Sequence, residues 1–214
     1  MPADTLPPTY RGLPHVILAS QSPRRAKLLA EMGVAFSVFV SEVDERALTH
    51  GVRIEDQALV LAQRKAEAAC SALRHEAEGH LVLAADTVVI AEGERLDKPR
   101  SADEARAILR RLSGAEHVVL TGVALLGIGV EELFTERTAV RFGQLTETDI
   151  EYYLSLGAPY DKAGGYGIQD WIGLIGVQSI EGSYTNVMGL PTWALHRALM
   201  RIVRYATAKE ARPC

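Results

Sequence analysis

Short, wholly apolar runs alternate along this chain with stretches whose apolar positions recur every three or four residues, and that alternation predicts strands and helices in turn. The first run, residues 16–19, reads as a buried strand. It leads straight into Ser20-Gln21-Ser22-Pro23-Arg24-Arg25, where Ser22 fits a helix N-cap and Pro23 the first helical position. A second strand is expected over residues 36–40. A helix follows over 55–74, its stripe of Leu59, Ala62, Ala66, Ala69 and Leu73 made of mostly small residues that permit close packing. Residues 81–90 read as another buried strand.

Farther along, Ser101 with Glu104 has the pattern of a capping box, opening a helix that Gly114 closes. Residues 118–128 and 133–142 flank a turn containing glycine and glutamate, which predicts an antiparallel hairpin and argues against a wholly parallel sheet. Thr146 and Asp149 start another helix that ends near Gly157. A glycine-rich loop from Asp161 to Gln169 comes next, then a strand over residues 172–179 and a last helix over 191–205. The class is therefore α/β. Residues 1–14 and 206–214 read as flexible ends around a single domain over residues 15–205, and no repeat or low-complexity linker divides it.

A chain of 214 residues can bury roughly 70% of the surface its unfolded form exposes, so it needs no covalent staples. The net charge of −4 argues against a broad nucleic-acid surface, and any anion site must be local. Two cysteines, Cys70 and Cys214, offer neither a disulfide framework nor metal-ligand spacing, which suits a reducing compartment. No run of about 20 uncharged apolar residues could span a bilayer, and the start has no apolar core of signal-peptide length. The expectation is a cytoplasmic protein with no membrane partner.

Charge placed against local preference marks the candidate chemistry. Arg24 and Arg25 occupy the first turn of a helix, where cations oppose the partial positive charge of the N-terminus at roughly 0.3–1 kcal/mol each. An anion such as phosphate before the free N–H groups would offset that cost. Asp86 interrupts an apolar strand, and a buried carboxylate costs several kcal/mol unless it is paired, protonated or bound to metal. Asp44 and Glu45 leave the second strand at its carboxyl end, where open α/β sheets bind ligands. With Asp86 they offer the hard oxygen donors that Mg²⁺ or Mn²⁺ prefers.

Lys65, Lys98 and Lys162 would each pass for a surface charge taken alone. Together with Arg24 and Arg25 they make the charge inventory of phosphoryl transfer: cations for the phosphates, carboxylates for a metal and a water. In the glycine-rich loop, Tyr166 could stack on a base and Gln169 read a base edge with its paired donor and acceptor. The chain contains no phosphate-loop Gly-Lys-Ser/Thr, no dinucleotide fingerprint and no His-Glu-x-x-His motif, and its six histidines are scattered without ligand spacing.

The segments Ser20-Gln-Ser22-Pro23-Arg24-Arg25, Val43-Asp44-Glu45, Lys65-Ala66, Ala85-Asp86-Thr87, Lys98-Pro99, Leu112-Ser113-Gly114, Asp161-Lys162-Ala163-Gly164, Tyr166-Gly167-Ile168-Gln169 and Glu181-Gly182-Ser183-Tyr184 through Val187-Met-Gly-Leu190-Pro191 resemble the Maf family of nucleoside triphosphate pyrophosphatases. The likeness runs in order and spacing over about residues 16–205. Arg24 directly after Pro23, Thr87 after the aspartate and Gln169 after Gly-Ile resemble the dTTP/UTP-hydrolysing branch. The chain departs from the family pattern at Gln63-Arg64, where Arg-Glu is common, and at Asp170, where glycine is usual.

The resemblance implies a mixed sheet in an inosine-triphosphatase-like fold, with two lobes around a central cleft, a divalent metal cation and often a homodimer. It casts Asp86, Lys65 and Lys98 as catalytic residues, and Ser20, Arg24, Arg25, Thr87, Lys162 and Gln169 as substrate-binding ones, with Glu45 and Asp86 on the metal. The implied reaction is hydrolysis of dTTP and UTP, and of modified pyrimidine nucleotides, to monophosphate and pyrophosphate, which keeps noncanonical nucleotides out of nucleic acid. A regulatory binding protein in cell-division arrest is the competing expectation.

Overall fold

The computed structural model describes residues 7–40, 43, 45–157 and 160–210, and the side chains of all of these except 46 and 206–210. Its strands are β1 (Val16–Ala19), β2 (Phe36–Phe39), β3 (Leu81–Ala91), β4 (Glu94–Leu96), β5 (Glu116–Gly127), β6 (Val130–Phe142) and β7 (Val177–Glu181). The α-helices are α1 (Pro23–Glu31), α2 (Glu45–Thr49), α3 (Ile54–Leu73), α4 (Ala102–Leu112), α5 (Glu147–Ser155), α6 (Trp171–Gly176), α7 (Tyr184–Val187) and α8 (Thr192–Glu210). All seven strands form one sheet in the order β2-β1-β3-β5-β6-β7, with β4 pairing to β3. The sheet is mixed: β1 runs parallel to β2 and β3, while the β3–β5, β5–β6 and β6–β7 ladders are antiparallel, the middle one being the hairpin that the sequence predicts.

Strand alternation sorts β3 onto two faces. Val82 and Ala84 face α3, where they meet its Ala62, Ala66 and Ala69, and Val88 meets Ala58. Leu81, Leu83 and Ala85 point the other way, into a core shared with Leu28 and Leu29 of α1 and with Leu195, Ala198, Leu199 and Ile202 of α8. Farther along that same face, Val89 and Ala91 enter a second core built from α4, α5 and α6, around Leu109, Ile150, Tyr153 and Ile172. Two cores on one side of a continuous strand give two lobes. The alanine stripe on α3 keeps the helix close to the sheet, so little side-chain length separates its backbone from β3 and β5.

Helix starts follow the sequence closely. Ser22 caps α1 by accepting from the Arg25 amide, and Ser101 caps α4 by accepting from the Glu104 amide. Glu104 returns its bond to the Arg100 amide rather than to Ser101, so that capping box is only half formed. Thr146 and Asp149 close a full box on α5.

Three features depart from the sequence expectation. The apolar run over 172–179 is split: α6 takes its first part and β7 the rest. A short apolar run does not declare its period, and here two glycines favour the helical turn by close approach. A Cβ on Gly173 would meet the Ile168 carbonyl oxygen at 2.2 Å, and one on Gly176 would meet Phe142 at 2.8 Å. The N-terminal stretch is anchored from Pro8 onward, because Tyr10 is buried in the first core and its hydroxyl bonds His196 Nδ1 of α8 at 3.0 Å. Finally, α8 continues to Glu210 rather than stopping at residue 205.

Candidate active site

β3 is paired along one edge in two separate pieces. β1 lies against residues 81–83 and β4 against residues 89–91, so no described strand covers 84–88 on that edge. The opposite edge is paired with β5 without a break over residues 82–90. Asp86 and Thr87 lie in this gap, Asp86 on the α3 face and Thr87 on the other. β1 ends at the gap and passes into the Ser20 loop, and β4 ends there and passes into Asp97 and Lys98. A cleft of 1140 Å³ opens over it, lined among others by Ser20, Arg25, Lys65, Lys98, Lys162 and Gln169.

On the α3 face, Lys65 bridges two carboxylates. Its Nζ donates to Asp86 Oδ1 at 2.5 Å and to Glu45 Oε1, at the start of α2, at 2.6 Å. Asp86 is only 7% exposed, so the ammonium supplies the partner that a buried carboxylate requires. Burial alone would raise the Glu45 pKa, but the Lys65 hydrogen bond and the charges of Lys65, Lys98 and Arg95 hold it below the usual value. Asp44 lies outside the described residues.

On the other face, Arg25 is fixed by three bonds. Nε donates to the Gly189 carbonyl at 2.7 Å, Nη2 to Thr87 Oγ1 at 3.1 Å and Nη1 to Ser20 Oγ at 3.4 Å. Thr87 Oγ1 lies 2.9 Å from Thr121 Oγ1, and Thr121 donates to the Asn186 carbonyl of α7. Burial lowers the Arg25 pKa from its ordinary value, against the pull of Asp86. The Thr87 hydroxyl thus braces Arg25 from the strand beneath it, and Ser20 also accepts from the Ser22 amide and shapes the turn.

Arg24 turns to a different wall. Its Nη1 donates to Asp161 Oδ2 at 2.6 Å, and Lys162 Nζ donates to Asp161 Oδ1 at 2.7 Å. Burial works to raise the Asp161 pKa, but Lys162 and Arg24 outweigh it and hold the group ionised. Lys162 also lies 3.3 Å from Asp170 Oδ2, the same oxygen that accepts from the Tyr153 hydroxyl. The aspartate that departs from the family pattern therefore steadies the lysine beside it.

Every candidate among the described residues lines this cleft, but Tyr166 does so from within the second core. That side chain is 4% exposed, its hydroxyl lies 2.7 Å from His117 Nε2 and its ring packs edge-on against Phe142, so the suggestion that it stacks on a base is corrected: it belongs to the second core. His117 is buried beside it, and desolvation lowers its pKa to about 4. The cleft residues missed from the sequence include Asp161 and Arg95. Asp161 is adjacent to Lys162, but nothing in the order of residues shows that it crosses to Arg24. Arg95 sits on a three-residue strand too short to leave a periodic signal.

Glu45 and Asp86 converge on one ammonium, and their remaining oxygens are hard donors suited to a divalent cation. Among the described residues no group of three His, Cys, Asp or Glu forms a metal cage, and Glu45 and Asp86 are the described carboxylates that such a site could draw on. Among the described residues, no helix is long and apolar enough to cross a membrane.

A dTTP/UTP pyrophosphatase of Phocaeicola vulgatus is 41% identical over 187 residues, covering 87% of this chain and 95% of that protein. One from Halalkalibacterium halodurans is 47% identical over 184 residues, covering 86% and 94%. Among solved structures, a HAM1 protein from Coxiella burnetii aligns at 15% identity and a TM-score of 0.39, over 61% of this chain and 74% of that one. The Maf family, described as Maf-like protein, matches residues 15–202. With a match that spans nearly the whole described fold and relatives of this identity, the chain belongs to the Maf family.

Proposed function

We propose that this protein hydrolyses dTTP and UTP between the α and β phosphates, releasing the monophosphate and pyrophosphate. The observation that carries the reading is the buried pair of Asp86 and Lys65, completed by Glu45, in a cleft that also presents Arg24, Arg25, Lys98 and Lys162. A module that only docked partners would have no use for a desolvated carboxylate facing so many cations.

Arg25, pinned on three sides, presents a fixed fork to the phosphates, and preorganisation of that kind avoids reorganisation cost as charge develops. Asp86 Oδ1 is tied to Lys65, which leaves Oδ2 to accept the proton of the attacking water. Water adds to the α phosphorus, the bond to the bridging oxygen breaks, and pyrophosphate leaves with the electron pair. Lys98 meets the charge that collects on the leaving group, and Lys162 adds a cation on the wall that it shares with Arg24. Glu45 and Asp86 would hold Mg²⁺ or Mn²⁺, which supplies charge neutralisation on the phosphates when bound.

Gln169 and Arg24 line the wall assigned to the base, with Thr87 acting through Arg25. A site that pairs with one base edge rejects others, because its own polar groups would be left unmatched. A homodimer is part of the same reading, and light scattering of the purified protein tests it. The decisive experiment is a nucleotide panel that includes methylated and halogenated pyrimidines, run with and without chelator and with products separated by chromatography. Pyrophosphate and monophosphate from dTTP and UTP support the assignment; orthophosphate in place of pyrophosphate overturns it.

A further inference from the structure

Arg95 brings a further cation to the cleft. It pairs with Ile90 in the β3–β4 ladder, four residues along β3 from Asp86, and so lies on the same α3 face of the sheet as Asp86 and Lys65. Two neighbours hold its guanidinium in place: Nε donates to Asp97 Oδ1 at 2.7 Å, and Nη1 donates to Gln57 Oε1 of α3 at 2.8 Å. A guanidinium has five N–H donors in a fixed plane, and these bonds use two of them. The group is thus oriented but not exhausted, and it lines the cleft wall with Lys98.

The direction of the substrate follows from the two faces of the gap. Gln169 follows Tyr166 and Ile168, which are rooted in the second core on the face opposite α3. Asp86, whose carboxylate would take the proton of the attacking water, marks the α phosphorus. A nucleotide whose base lies on the Gln169 side therefore carries its β and γ phosphates toward the α3 face, where Lys65, Lys98 and Arg95 are gathered.

We infer that Arg95 binds the terminal phosphates of the substrate, the portion that leaves as pyrophosphate, with Gln57 and Asp97 setting the plane of its guanidinium. The inference rests on the pyrophosphatase reading above and adds a substrate-binding residue to it. Bidentate contact to phosphate is what that planar fork favours, so lysine at this position should replace the charge but not the geometry.

The test measures pyrophosphate and dTMP binding separately by titration calorimetry, on the full chain with Mg²⁺ present. Arg95→Met is expected to weaken pyrophosphate binding at least tenfold and to raise KM for dTTP, while dTMP binding stays within twofold. Arg95→Lys should recover part of the loss. Pyrophosphate affinity within twofold of wild type in Arg95→Met overturns the inference, as does an equal loss for both ligands. Should that variant fail to fold, Gln57→Ala decides: severalfold weaker pyrophosphate binding supports the inference, and unchanged binding overturns it. Failure of the wild type to release pyrophosphate from dTTP would instead sink the pyrophosphatase reading, an outcome visible without any Arg95 variant.

Discussion

Asp86 stands directly opposite Gly122 across the β3–β5 ladder, and the absent side chain at Gly122 lets α3 lie close enough for Lys65 to reach Asp86. A Cβ on Gly122 would fall 2.4 Å from the carbonyl carbon and oxygen of Ala58 and from the Leu59 Cα, all of them helix backbone. Gly122→Ala therefore forces α3 outward. Overpacking of this kind costs about 1–3 kcal/mol, and because the obstacle is backbone the upper part of that range is expected. Denaturant midpoints should fall while turnover drops more steeply than folded fraction, since the displaced helix carries Lys65.

Asp86→Asn keeps the shape and the acceptor facing Lys65 but removes the charge. Turnover of dTTP is expected to fall by about 10²-fold or more, the range for losing a general base or its electrostatic equivalent. Circular dichroism should show an intact fold. Near-normal turnover would remove Asp86 from the chemistry.

Much of this arrangement is legible in the chain itself. Capping residues and apolar periods announce α1, α3, α4 and the β5–β6 hairpin because those signals are local. Asp86 stands out because a carboxylate within an apolar strand violates a rule that needs no neighbours to apply. What resists reading is long-range convergence. Asp161 meets Arg24 across 137 positions of sequence, and the three bonds on Arg25 come from Ser20, Thr87 and Gly189. The α6 turn is missed for a different reason: tertiary contact at Gly173 and Gly176 decides a run whose composition suits a strand equally well.

Asp161 is placed where a substrate anion would compete with it, since it accepts from both Arg24 and Lys162. Asp161→Asn removes that negative charge from a cationic wall and raises the local positive potential. KM for dTTP is expected to fall a few-fold with kcat changed little, as read from initial rates at low ionic strength. A higher KM would show instead that Asp161 positions the two cations productively.

His117 links acidity to folding. Its pKa is about 4 in the folded protein against about 6.5 for the free side chain, because burial disfavours the charged ring. Between those values the unfolded chain binds a proton that the folded protein does not, so stability is fully present above pH 6.5 and falls as the pH drops toward 4, by on the order of 3 kcal/mol. Urea titrations at pH 7, 5.5 and 4.5 should show that slope for wild type. His117→Gln, which keeps a partner for the Tyr166 hydroxyl, should flatten it.

The interruption along the β3 edge has a consequence for how precisely the cleft is specified. Its far bank is β4, a strand of three residues whose register is held by Leu96 entering the second core and Arg95 standing on the opposite face. A slip of one residue would turn Leu96 out and carry Arg95 to the wrong side of the sheet, reversing the charge offered to a ligand. The burial of a single leucine thus serves as the alignment mark that keeps the cations of the far bank facing the phosphates.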